Sequence, residues 1–394
     1  MLRLESIQEA IRAEGVDGWL FYDFRGSNPI AYHILGLDPA ALYTRRWFYF
    51  IPATGIPTRI ISAVEPHVLS ELPGACQIFR DWREMQDLLH TTLVGAERVA
   101  MEYSPNSAIP VVSRVDAGTL ELIRSLGKEV VSSANLVAAF DVRLTREQIA
   151  SHREAGRRLM IIKDAVFAHV RNRILTGGEP TEYEVQQRFL DLFREHGLIT
   201  DEPPIVAVNE HSSDPHYVPS ATQSSSIRRG DFLLVDFFAK LPGPDAIWAD
   251  YTWVAYVDRV VPQHHARVFE IVRSARDRGI AYLDEARRPG KQIQGWQVDD
   301  VVRQVIYEAG YARWFIHRTG HSIARELHGN GANLDNLETH DERELLDYTC
   351  CSVEPGIYLP EFGVRSEVNV ILFPERVEVT GAPIQEEIVP LLAE

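Results

Sequence analysis

Residues 232–257 read FLLVDFFAKLPGPDAIWADYTWVAYV, two strongly apolar runs joined by the turn residues LPGPD at 241–245. Proline and glycine end both runs and reverse the chain, so the stretch is predicted to be a β-hairpin, FLLVDFFAK at 232–240 against AIWADYTWVAYV at 246–257. Each arm carries one aspartate, Asp236 or Asp250, inside otherwise apolar sequence. Facing residues of an antiparallel pair have a constant index sum, and centring the turn on Gly243 places Asp236 opposite Asp250 on one face. Two carboxylates side by side in apolar surroundings repel each other and protonate unless a cation stands between them.

Upstream, TREQ at 145–148 and TEYE at 181–184 are capping boxes that open two helices. Leu159, Ile162, Val166 and Val170 keep helical spacing until Gly177 and Gly178, and the second helix carries Val185, Phe189 and Phe193 and ends at Gly197. Downstream the order recurs: a helix opened by Pro262 and closed at RRPG, a helix over GWQVDDVVRQVIYEAG, then strand-like segments around CCSVEPGIYL and VRSEVNVILF. Thr145 and Pro262 lie 117 residues apart, and Asp236 and Glu354 lie 118 apart. That period is too long for a solenoid and predicts two helix–helix–hairpin halves facing each other across a cleft. In the second half, the midpoint between Glu354 and Glu367 falls inside the LPEFG turn, so this hairpin can pair its two glutamates in the same way.

Residues 1 to about 142 have a different texture, with helical and strand patterns alternating. Leu4, Ile7 and Ile11 mark a helix, GWLFYD at 18–23 and WFYFI at 47–51 read as buried strands, and the alternation continues to about Phe140. This is an α/β domain without a catalytic constellation. The boundary is expected near Arg143, giving domains 1–142 and 143–394.

Composition removes several function classes. With 56 Asp plus Glu against 40 Lys plus Arg, the formal net charge of −16 repels phosphate backbones and anionic lipid heads, so neither nucleic acid nor a membrane surface is an expected partner. The start, MLRLESIQEAIRAEG, lacks the pattern of a secretory signal, and the expectation is a cytoplasmic protein. Cys76, Cys350 and Cys351 form neither a disulfide framework nor a CxxC metal pair. What remains is a cage of four carboxylates with histidines to hand, His317, His321 and His328 in HRTGHSIARELH and His216 in PHY. Oxygen ligands plus one imidazole suit a two-metal arrangement of Mn, Co, Fe or Zn, and the chemistry such a pair supports is hydrolysis.

The ordered motifs IVAVNEHSSDPHY, GDFLLVDFFA, ADYTW, HRTGHSIARELH, VEPGIY and VRSEV resemble those of the creatinase, aminopeptidase P, prolidase and methionine aminopeptidase family. Residues 143–394 resemble its α+β "pita-bread" catalytic domain, and residues 1–142 the amino-terminal domain of its prolidase and aminopeptidase P branch. The resemblance implies that Asp236, Asp250, His321, Glu354 and Glu367 ligate two divalent metal ions, Mn foremost, with Co, Zn or Fe as substitutes. It implies that Asp250 and Glu367 bridge the metals, that Glu354 also handles protons, and that His216 and His328 contact the scissile peptide. His317 borders the pocket, and Arg365 is expected to hold a substrate carboxylate.

The activity implied is hydrolysis of Xaa-Pro bonds in dipeptides by a metal-bridging hydroxide, with Xaa-Pro aminopeptidase as the alternative. A metal-free, creatinase-like C–N hydrolase and a non-enzymatic binding protein are further alternatives, both of which usually lose ligands that this chain keeps. A homodimer acting on small peptides is also implied. The chain departs from relatives at Phe238, where they usually have glycine, and at Tyr251 and Trp253 in ADYTW. The Asp236–Asp250 loop is lengthened, and Ser322, Ala324 and Gly329 replace residues common around the metal histidine, so an altered pocket wall is expected around Phe238 and Trp253.

Overall fold

The computed structural model describes residues 3–38, 40–41, 43–288 and 290–393. Pro289 of the expected RRPG stop lies outside them. The chain divides into two units, Met1–Asp141 and Val142–Glu394.

The first unit runs α1 (Leu4–Ala13), β1 (Gly18–Asp23), α2 (Pro29–Leu35), β2 (Trp47–Pro52), β3 (Thr58–Ser62), β4 (Ala75–Phe79), α3 (Trp82–Thr92), β5 (Arg98–Met101), α4 (Ala117–Ser125), β6 (Glu129–Ser132) and α5 (Ala134–Asp141). Its described strands form one sheet in the order β4-β3-β2-β1-β5-β6. Strand β1 is antiparallel to β2 and parallel to β5. The continuous apolar runs follow from burial on both faces. Trp19, Phe21 and Tyr49 meet α1, α2 and α5 on one side, while Leu20, Tyr22 and Phe48 meet α3 and α4 on the other.

The second unit opens with α6 (Arg146–Leu175) and α7 (Glu182–Glu195), both started by the expected capping boxes, Thr145 with Gln148 and Thr181 with Glu184. Strands β7 (Ile205–Val208), β8 (Phe232–Ala239) and β9 (Ala249–Tyr256) follow, then α8 (Gln263–Arg287) and α9 (Gly295–Glu308). The chain closes with β10 (Ser322–Ile323), β11 (Thr349–Val353), β12 (Gly356–Tyr358), β13 (Gly363–Arg365), β14 (Val368–Leu372), β15 (Val377–Thr380) and β16 (Val389–Pro390). The described strands form two half-sheets, β16-β9-β8-β7 and β10-β11-β14-β15, with β12-β13 as a separate ribbon. A helix pair followed by a strand hairpin therefore occurs twice.

Period-two alternation sorts the first hairpin. Odd-numbered Leu233, Val235, Phe237, Tyr251 and Trp253 pack against α6 and α7. Even-numbered Asp236, Phe238, Asp250 and Thr252 take the other face. The register differs from expectation: Asp236 faces Thr252, and Asp250 faces Phe238. The pairing is centred one residue beyond Gly243, which slides the strands by two. A slip of two keeps every side chain on its face, whereas a slip of one would bury the aspartates among the helices. It also replaces direct opposition of like charges by a diagonal.

The second hairpin keeps the expected register but is interrupted. Val353 pairs with Val368, and Gly356 with Arg365, on one common register. The residues between, Glu354–Pro355 and Ser366–Glu367, fall in the gap, so the ladder opens where the two glutamates stand opposite each other. Their N–H groups turn elsewhere, Glu354 donating to Thr319 O at 2.8 Å and Glu367 to Thr252 O at 3.3 Å.

Gly320 fixes the remaining segment. A Cβ there would lie 2.0 Å from Ser352 O. Only glycine lets the 317–323 stretch lie against β11, where Ser352 N–H donates to His321 O at 3.0 Å. Gly320→Ala is therefore expected to cost about 1–3 kcal/mol of stability as an overpacking change. Thermal denaturation of the purified variant measures it, and an unchanged melting temperature would contradict this packing.

Candidate metal centre

Asp236, Asp250, His321, Glu354 and Glu367 line one cleft of about 180 Å³, together with His216, His317, His328 and Arg365. The nine residues come from segments up to 151 positions apart in sequence. Asp236 and Asp250 project from β8 and β9, Glu354 and Glu367 from the gap in the second hairpin, and His321 from the strand edge beside β11.

Side-chain bonds join the two half-sheets at this point. Asn369 on β14 accepts from Asp250 N–H at 2.8 Å and donates to Asp250 O at 2.7 Å, so its amide substitutes for a neighbouring strand. Thr252 Oγ1 donates to Glu367 Oε2 at 2.8 Å and accepts from Arg365 Nε at 2.9 Å. Ser352 Oγ accepts from His321 N–H at 2.9 Å and donates to Glu354 Oε1 at 3.0 Å. The Glu367 and Glu354 carboxylates are thus each held on one oxygen, and Asp250 and His321 are held through their backbone.

Other carboxylate edges lack partners. Asp236 Oδ1, Asp250 Oδ1 and Glu367 Oε1 are buried with no hydrogen-bond partner. Buried polar atoms are normally satisfied, so three orphaned carboxylate oxygens in one cleft call for a cation. His321 points the same way. Its Nδ1 donates to Ser322 O at 3.1 Å, which leaves the lone pair on Nε2. That nitrogen faces Asp250 Oδ2 and Glu354 Oε1, each at 3.5 Å. Asp250, His321 and Glu367 each offer a donor atom within 4.8 Å of the others. The donor set, carboxylate oxygens plus one imidazole nitrogen, fits a hard to borderline divalent ion.

Electrostatics agree with geometry. Burial, only partly offset by Arg365 and reinforced by Asp250 and Glu354, pushes Asp236 up to about 7. Burial and then Glu354 push Asp250 up to about 8. Burial followed by Asp250, Glu354 and Asp236 raises Glu367 strongly. Glu354 behaves differently: burial raises it, but the fields of His321, His317, Arg365 and Arg318 outweigh burial and hold it below its ordinary value. One carboxylate is therefore ionised among three that cannot all ionise without added positive charge.

The remaining expected residues take distinct places. His216 is exposed in the loop after β7, its N–H donating to Asp214 Oδ1 at 3.0 Å. His328 is exposed at the rim with its ring 4.4 Å from that of His321, and desolvation, then His321, lower its pKa. His317 is held by Arg318 O and by the Tyr358 hydroxyl, each at 2.7 Å, and burial pushes it down to about 4, so it is neutral. Arg365 directs its guanidinium into the site's own framework, donating from Nη2 to Asp236 Oδ2, from Nε to Thr252 and from Nη1 to Tyr358 and Pro215.

The two expected wall residues part company. Phe238 lines the cleft and roots among Ile247, Trp248, Ile323, Cys350 and Ile371. Trp253, expected to alter the wall, faces the opposite way, because its odd position on β9 points it at α6, where Lys163 Nζ sits 3.6 Å from its ring centre. Sequence reading also passed over Thr252, Asn369 and Tyr358. Alternation could have found Thr252, two positions from Asp250 on the same face. Nothing in the sequence announces Asn369 or Tyr358, whose roles depend on the meeting of distant segments.

The family model of "Metallopeptidase family M24" matches residues 150–373. Over 360 residues the chain is 27% identical to "Probable dipeptidase PepE" of Mycobacterium tuberculosis, covering 89% of this chain and 88% of that protein. It is 32% identical over 170 residues to an "Xaa-Pro dipeptidase" of Pyrococcus furiosus, covering 43% and 44%. The crystal structure of dipeptidase PepE from Mycobacterium ulcerans superposes with a TM-score of 0.72 at 22% identity, covering 98% of this chain and 97% of that one. The fold is thus the pita-bread fold with an α/β amino-terminal domain, as expected. No helix among the described residues is long and apolar enough to cross a membrane.

A pH signature follows. Asp236 and Asp250 have folded-state pKa values near 7 and 8 against an ordinary 3.8. Between those limits the folded, metal-free chain binds more protons than the unfolded one, so their contribution to stability is lost as pH rises from about 4 to about 8. A divalent ion replaces those protons. The rise in melting temperature on adding Mn to chelated protein is expected to grow between about pH 5.5 and about pH 8. Differential scanning fluorimetry checks this, and a pH-independent rise would contradict it.

Proposed function

The chain belongs to metallopeptidase family M24, and we propose from that premise that it hydrolyses Xaa-Pro dipeptides with two divalent metal ions, as prolidases do. The observation that carries this reading is the set of three unpartnered buried oxygens, on Asp236, Asp250 and Glu367, around the His321 lone pair. Asp236, Asp250, His321, Glu354 and Glu367 would hold the ions. When bound, such a metal pair supplies Lewis acidity and an activated water for attack on the peptide carbonyl.

The chain's own side chains do the rest. Glu354, the carboxylate kept ionised, is the group assigned in this reading to take a proton from the attacking water and return it to the leaving nitrogen. His216 and His328, exposed residues of the cleft lining, are assigned to donate hydrogen bonds to the substrate carbonyl as negative charge develops. His317, neutral and fixed by Tyr358, forms a border for the substrate. Arg365 keeps Asp236 in position and offsets negative charge; any hold on substrate comes from the rest of its fork. Phe238 narrows the wall, which favours small substrates.

In this reading residues 1–142 are the creatinase/prolidase-like domain and 143–394 the catalytic domain of a cytoplasmic homodimer. Sedimentation at micromolar concentration reads the dimer, and a monomer mass would count against it. The names of the M. tuberculosis and P. furiosus relatives support a dipeptidase over an aminopeptidase.

Mn-loaded protein is expected to release proline from Ala-Pro and to leave Ala-Pro-Ala intact, as followed by chromatography of the products. Cleavage of the tripeptide alone would mark an aminopeptidase. Asp250→Ala is expected to lower kcat by at least about a thousandfold and to lose bound metal, because it removes a central ligand. Full activity of that variant would refute the metal mechanism.

A further inference from the structure

Glu182 is the first residue of α7, wholly buried, and not among the residues that line the metal cleft. Its Oε1 accepts from Val208 N–H at 2.8 Å and from His211 Nδ1 at 2.9 Å. Its Oε2 accepts from the Tyr217 hydroxyl and from Ser225 N–H, each at 2.7 Å. All four donors belong to residues 208–225, the stretch leading out of β7 that supplies Pro215, His216 and Val218 to the cleft. The His211 and Tyr217 rings, on either side of His216 in sequence, also stack with centres 4.3 Å apart. The same stretch is tied to the second hairpin: Ser212 Oγ accepts from Gly363 N–H at 2.8 Å, Ser213 Oγ donates to Leu359 O, and Pro215 O accepts from Arg365 Nη1 at 3.4 Å. Among the described residues the His216 imidazole makes no hydrogen bond of its own, so the loop backbone alone sets its place.

We infer that Glu182 is a positioning residue for the reaction: its four-donor clamp fixes the loop that presents His216 to the cleft. This rests on the peptidase reading above, in which His216 meets the substrate carbonyl. A buried carboxylate is a costly way to fill space, and the cost is offset only when its lone pairs are satisfied. Here the compensating donors all come from one loop, so the penalty of leaving Glu182 unpaired holds that loop against α7. The clamp also asks for a carboxylate and not for any polar group. Val208 and Ser225 donate to opposite oxygens, and a main-chain N–H cannot become an acceptor. A glutamine would set its NH2 against one of them whichever way its amide flipped. Misplacing a reacting group by about 1 Å can cost about a hundredfold in rate, so a residue outside the cleft acts on turnover through His216.

The test is a double-mutant cycle on the Mn-loaded full chain with Ala-Pro as substrate, joined to hydrogen–deuterium exchange read by mass spectrometry. His216→Ala, which removes the donor itself, is expected to lower kcat about 100-fold. Glu182→Gln is expected to lower kcat about 10- to 100-fold while KM and metal content change less than about twofold. Tyr217→Phe, which removes one of the four donors and keeps the ring, is expected to lower kcat about three- to tenfold. Neither variant is expected to slow the His216→Ala enzyme by more than about twofold, because residues that act as a unit are not additive. Exchange is expected to quicken over 208–225 in both variants and to stay unchanged in peptides holding Asp250 and Glu354. Equal rate losses with and without His216, or a loss that falls on KM or metal content, would overturn the inference, as would unchanged exchange over 208–225. If wild type cuts no Xaa-Pro bond, exchange still decides: quickening confined to 208–225 leaves the clamp standing and the proline reading fallen, and unchanged exchange removes the clamp as well.

Discussion

Four carboxylates crowded into one cleft, three of them buried, are the constraint on which the second unit depends. Removing an ion from water costs several kcal/mol even after relaxation, and like charges add to the cost. Only added positive charge makes such a cluster tolerable. The chain supplies part of it through Arg365 on Asp236, and leaves Asp236 Oδ1, Asp250 Oδ1 and Glu367 Oε1 for something it does not itself contain. The raised carboxyl pKa values are the same cost expressed as proton affinity. A metal-free chain meets it by binding protons, and a loaded one by binding metal.

The surrounding architecture serves to bring these groups together in one cleft. The two-residue offset of the first hairpin sets its aspartates on a diagonal, and the broken ladder of the second releases two glutamates from strand pairing. Asn369 and Thr252 then tie the half-sheets at Asp250 and Glu367. Gly320 permits the close approach that presents His321, and Ser352 holds His321 and Glu354 in one network. Asn369, Thr252 and Ser352, with Arg365 on Asp236, orient the ligands while ligand edges stay open, which is how the groups around a metal site tune it.

Much of this was legible in the sequence, for particular reasons. Capping boxes at Thr145 and Thr181 are local and became helix starts. The duplication appeared as equal offsets, and the ligand residues as charged residues in apolar strands, which burial makes conspicuous. Register was less legible: pairing is decided by how the 241–248 loop packs, so symmetry about Gly243 missed by one residue. The sidedness of Trp253 follows from alternation, which places it opposite Asp250. The bonds of Asn369, Tyr358 and Arg365 were hidden because each joins segments far apart in the chain. Helices α2 and α5 of the first unit lacked a distinctive pattern, being only seven and eight residues long.

The cleft between the half-sheets carries the donor set of a divalent-metal site assembled from both. The most direct measurement is anomalous diffraction at the manganese edge from crystals grown with Mn. Two peaks bounded by Asp236, Asp250, His321, Glu354 and Glu367 are the predicted result. No peak among those residues, with well-ordered side chains still facing one another, would contradict a metal site there.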